Sequence, residues 1–109
     1  DALARQQDLD LRQSAIAAWE KLAAAHKEAE AYQDDMVPSA ERAYAQASDG
    51  YSAGRFSFLD LLDAQRTLYE VQEARLDSLL ALYEAKAQTD FLMNAHEPLI
   101  KNIIEGDKE

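Results

Sequence analysis

The sequence contains no cysteine, so neither a disulfide nor a thiolate metal site can form within it. Two prolines and three glycines among 109 residues leave few places for the chain to turn. No apolar run approaches the ~18 residues that a membrane-spanning helix needs, and nothing at the start reads as a secretory signal. Basic residues are scarce as well: 11 Lys and Arg stand against 21 Asp and Glu, a formal net charge of −10. Nucleic acid and an anionic membrane surface would both repel that excess, so neither is expected as a partner. A diffuse acidic surface of this kind reads as a solubilising one. What is abundant is Ala, Leu, Glu, Gln, Asp and Arg, the composition of long helices and coiled coils in a chain of at most one domain. It opens abruptly inside a helical pattern at Asp1-Ala-Leu-Ala4, and so reads as a piece of something longer.

Catalytic and ligand-binding patterns are missing too. There is no glycine-rich phosphate loop and no nucleophile elbow. The histidines, His26 and His96, lie far apart in the sequence. His26 shares a helix face with Glu30, but two ligands do not make a metal site. The carboxylates fall on helix faces, with no pair set apart in an apolar context for acid–base work. No enzyme activity, metal or cofactor is expected.

Helical periodicity fills the chain. Ala15, Ala18, Leu22, Ala25, Ala29, Tyr32 and Met36 follow one another at alternating steps of three and four, a heptad seam. Leu11 and Ala4 extend it upstream, with Asp8 breaking it. A seam made mostly of alanine requires the partner helix to come close. Trp19, just off the seam, marks either a second contact or simple flank packing. Pro38, after Asp34-Asp-Met-Val37, removes a helical hydrogen bond and crowds the preceding turn. The small positions resume at Ala40, Ala43, Ala47 and Tyr51, one residue late, as at a coiled-coil stutter. One bent helix over residues 2 to 53 is expected.

A second helix is expected from Phe58 to Asn94, with two apolar stripes side by side. One comprises Leu62, Tyr69, Leu76, Leu79 and Tyr83. The other comprises Leu61, Ala64, Leu68, Val71, Leu82 and Ala85, interrupted by Arg75 and Ser78. A two-helix hairpin hardly buries both. Either this is the wide face of a three- or four-helix bundle, or the helix has neighbours on two sides. Pro98 predicts a helix end near Ala95-His-Glu, because a residue before proline avoids the α region. Leu99–Ile104 then forms a short apolar patch, and residues 106–109 fray.

Between the helices lies Gly50-Tyr-Ser-Ala-Gly-Arg-Phe-Ser-Phe-Leu-Asp60. Gly54 suits a left-handed position ending the first helix, since it has no Cβ to clash. Ser57 and Asp60 have the spacing of a helix-opening capping pair. Stop and start signals this close predict a tight turn between antiparallel neighbours. The fold class is therefore all-α: a long antiparallel helical hairpin of coiled-coil type over residues 1–95, with its tip near 54–57 and a C-terminal tail over 96–109.

The wording of that turn resembles the TolC-like outer-membrane efflux channels. Their pattern runs Gly-Tyr-x-x-Gly-x-x-(Ser/Thr)-x-Leu-(Asp/Glu)-x-Leu-Asp-Ala-Gln-Arg-x-Leu, and it is matched here from Gly50 to Leu68, with Glu41-Arg-Ala-Tyr44 before it and Tyr69 after it. The match is specific over about 30 residues, and helical flanks carry it over roughly residues 8 to 92. It looks closest to the C-terminal repeat of such channels, of the metal-cation or multidrug subgroup. One departure is that Phe91-Leu-Met-Asn94 leads to His96-Glu-Pro98 where the family usually has a Leu-Gly pair. The barrel strands and a sister repeat are not in this chain.

The resemblance implies the periplasmic part of a Gram-negative outer-membrane protein, trimeric in the full-length parent, with hairpins lining an α-barrel tunnel. It implies a periplasmic adaptor (membrane fusion) protein as partner, docked at the tip of a tripartite pump. Carried over by position, the docking surface is Ala53, Gly54, Arg55, Phe56 and Ser57, with Leu59 beside it. Gly54 would expose backbone and admit another chain, Arg55 would supply donors, and Phe56 would be an apolar anchor. Self-association through the second stripe is expected, with no membrane contact by this segment. The alternatives are a stand-alone coiled-coil scaffold and an acidic cation-binding module.

Overall fold

The computed structural model describes the backbone of residues 1–106 and the side chains of residues 1–95. Its order is α1 (Ala2–Ala31), a π turn (Tyr32–Met36), α2 (Val37–Ser52) and α3 (Phe58–Gly106). The chain is all-α, a helical hairpin with its reversal between Ser52 and Phe58, and no strand occurs among the described residues. No described helix is long and apolar enough to cross a membrane. The chain forms two compact units, one pairing Asp1–Ala24 with the segment from Leu82 onward, the other spanning Ala25–Ala81.

In the first unit the paired segments meet through small residues. Ala18 and Ala85 are buried, with Ala15, Leu22, Leu82 and Leu92 partly covered along the same seam. The buried Thr89 Oγ1 donates to Ala85 O at 2.8 Å within its own helix and lies 3.3 Å from Ala18 O on the facing segment. So short a side chain reaching the opposite backbone means that the two helices lie close, as the alanine seam requires. Asp8, which interrupts the heptad, pairs with Arg12 at 3.2 Å. Trp19 is exposed.

In the second unit the seam continues through Ala25, Ala29 and Tyr32, then steps by five residues to Val37 before running on through Ala40, Tyr44, Ala47 and Gly50. The π turn accounts for that step. Val37 N–H donates to Tyr32 O, an i to i−5 bond, so one turn carries an extra residue. Backbone angles stay helical on both sides: φ −62°, ψ −40° at Ala31 and φ −65°, ψ −49° at Val37. The arm is therefore one continuous helical run, as expected. Pro38 falls just after the wide turn, where its missing N–H and bulky ring are accommodated without a break.

The π turn also corrects the seam. Val37 is 7% exposed and Met36 38% exposed, and Tyr44 is partly covered whereas Ala43 and Tyr51 are exposed. Counting residues carried the heptad through Met36, but the wider turn rotates the following face by about one position. On α3, the stripe of Leu61, Ala64, Leu68, Val71, Arg75, Ser78, Leu82, Ala85, Thr89 and Leu92 is the covered one throughout. Leu62, Tyr69, Leu76 and Tyr83 are exposed, and Leu79 is partly covered.

The far end of α3 differs from expectation. The helix does not stop near Asn94 but continues past Pro98 to Gly106. A proline biases the residue before it without forbidding helix, and Leu99-Ile-Lys-Asn-Ile-Ile104 offers no second breaker until Gly106. The side chains of His96 and of the Leu99–Ile104 patch lie outside the described ones, as do residues 107–109, where fraying was expected.

Candidate docking site at the hairpin tip

The reversal is built from two local motifs placed end to end. Ala53 caps α2 at φ −84°, ψ 0°, and Gly54 follows at φ 76°, a left-handed conformation open to glycine. Arg55 N–H donates to Gly50 O at 2.7 Å, and Gly54 N–H donates to Tyr51 O at 3.0 Å. These are the crossed bonds of a Schellman stop, which satisfy carbonyls that a helix end leaves bare. Phe56 N–H also donates to Gly50 O, at 3.1 Å, so one carbonyl gathers two consecutive amides. The start of α3 follows at once. Asp60 N–H donates to Ser57 Oγ at 3.2 Å, and Ser57 N–H donates to Asp60 Oδ2 at 3.0 Å, a reciprocal capping box. The Asp60 carboxylate also lies in the first turn, where the helix dipole favours negative charge.

Of the six residues expected at the tip, Ala53, Gly54, Arg55, Phe56 and Ser57 form this turn and Leu59 lies in the first turn of α3, and all are exposed. Their chemistry differs from residue to residue. Gly54 has open space around it: a Cβ built there would meet nothing within 4 Å. Its N–H, however, is spent on Tyr51 O, so it offers another chain room and not a free donor. Ser57 is likewise engaged in its cap. No ion pair holds the Arg55 guanidinium among the described residues. Leu59 is 70% exposed. Phe56 is 47% exposed and packs back on its own turn, so it is not a free-standing anchor.

Three residues outside the expected set belong to the site. Tyr51 and Phe58 pair across the turn with ring centroids 5.8 Å apart at 56°, a tilted contact that favours aromatic pairs. Both stay about half exposed, so they widen the apolar surface beside Leu59. Gly50 is buried, and its carbonyl is the hub of the stop. The signal for Gly50 was there to find, since a glycine inside a helical pattern costs stability and needs a packing reason. With Gln46, Asp49, Arg55 and Phe56 it lines a shallow groove of about 330 Å³.

Elsewhere, His26 Nδ1 lies 3.5 Å from Glu30 Oε1 on an exposed face. No three His, Asp or Glu side chains gather among the described residues.

Against known proteins, the chain is 32% identical over 85 residues to the cobalt-zinc-cadmium resistance protein CzcC of Cupriavidus metallidurans. The match covers 78% of this chain and 20% of CzcC. No family model and no solved structure matches. The chain thus spans about a fifth of the length of the curated relative it resembles.

Proposed function

We propose that this chain is the tip-bearing hairpin of an outer-membrane efflux channel of TolC-like kind, serving metal-cation export. In this reading it works by assembly and carries out no catalysis. The hairpin contributes to the wall of a periplasmic tunnel, and its tip docks the hairpin end of a periplasmic adaptor. The similarity to a metal-resistance protein over most of the chain supports the channel and its cargo class of cobalt, zinc or cadmium ions. The observation that carries the docking role is the tip itself: a rigidly capped reversal with open space at Gly54 and exposed Arg55, Phe58 and Leu59. The two stripes of α3 support the wall. One is consumed inside the hairpin, while Leu62, Tyr69 and Leu76 remain uncovered for a neighbouring hairpin.

Gly54→Glu in the full-length parent tests the docking role. The variant should lose metal resistance and adaptor pull-down while the channel is still made and helicity is retained. Unchanged resistance would remove the docking role.

A further inference from the structure

Gly50 stands in the last turn of α2 with ordinary helical neighbours, where alanine would be the better helix former. Its explanation lies six residues on. A Cβ built on Gly50 would come within 2.7 Å of Phe56 Cε2 and closer still to Cδ2. The ring therefore occupies the space that any side chain at position 50 would need. The same residue receives the Arg55 and Phe56 amides on its carbonyl, at 2.7 and 3.1 Å.

We infer that Gly50 and Phe56 form a latch, in which Gly50 is a positioning residue that seats the Phe56 ring against the end of α2. Seated this way, Phe56 packs part of its ring against its own chain and presents the remainder next to Arg55. The latch adds a side-chain contact to the backbone bonds of the stop and to the capping box, so the tip surface has one shape before any partner arrives. Preorganisation of that kind lowers the ordering cost of binding. The purpose assigned to the seated ring rests on the docking reading; the latch itself rests on the turn geometry.

The 109-residue chain tests the latch without any partner. By NMR, the Gly50 Hα resonances should be displaced by the ring current, and the displacement should vanish in Phe56→Leu. In thermal melts, Gly50→Ala should lower Tm in the parent. In a Phe56→Ala background the same change should raise Tm by about 4–8 °C, the return of the ordinary alanine preference. A Gly50→Ala that stabilises both backgrounds, or Gly50 resonances indifferent to Phe56→Leu, overturns the latch. In the full-length parent, Gly50→Ala should reduce resistance to cobalt, zinc or cadmium as Gly54→Glu does. Resistance lost in Gly54→Glu but kept in Gly50→Ala overturns the positioning role. Resistance kept in Gly54→Glu overturns the docking reading alone, with the sign of the melting shifts still deciding the latch.

Discussion

Ala85→Leu is the perturbation that most directly measures how closely the two arms lie. Leucine adds three carbons, and burying them with room to spare would contribute about 2.4 kcal/mol at about 0.8 kcal/mol each. The structure denies that room. Ala85 is 2% exposed, Thr89 3% and Ala18 5%, and Thr89 Oγ1 already sits 3.3 Å from the facing Ala18 O. A leucine at this point forces the segments apart and strips contacts from its neighbours, so strain and lost contacts outweigh the transfer gain and leave a net destabilisation of about 1–3 kcal/mol. For a chain of this size that corresponds to a Tm lower by about 8–16 °C at the middle of the range. Far-UV circular dichroism melts at one fixed protein concentration measure it, since association adds apparent stability. Ala87→Leu is the control. Ala87 is exposed on the same helix, and the change should move stability by no more than about 0.5 kcal/mol. An Ala85→Leu protein that melts at or above the parent, with Ala87→Leu unchanged, would show that the seam has space for leucine and refute the close-packed reading.

Arg75 occupies a seam position, and its Nε is buried with no hydrogen-bond partner among the described residues. Arg75→Met keeps the packed stem and removes that orphan, so stability should rise by about 1 kcal/mol in the same melts. A loss of similar size would mean that the guanidinium contributes more than its unpaired atom costs. The uncovered Leu62, Tyr69 and Leu76 should make the isolated chain associate as concentration rises, and Leu76→Lys should shift sedimentation toward monomer. A parent chain that stays monomeric at high concentration would remove the lateral role of that face.

The reversal was legible in the sequence almost atom by atom because its determinants are local. Gly54, Ser57 and Asp60 each act on amides or carbonyls within a few residues, and both caps form where spacing alone predicts them. Phe56 was legible only as an exposed aromatic. Its seat on Gly50 depends on the direction the chain takes after the reversal, which no residue pattern encodes. The seam was legible up to Tyr32 and then slipped, because periodicity counts residues and the π turn changes the angle each residue subtends. Pro98 misled in the opposite direction. It was read as the end of the helix near Ala95-His-Glu, but the helix carries through it to Gly106.

By itself, the sequence determined two helical arms, one capped reversal, and a first arm whose alanines require a close neighbour. Only the tertiary structure decided which stripe of α3 is that neighbour, and it selected the one with Arg75 and Ser78 in its middle. Small residues recur along the selected stripe, with Ala64, Ser78, Ala85 and Thr89 lying between its larger ones so that the alanine seam can come close, whereas the other stripe places Tyr69 and Tyr83 where they would hold the arms apart.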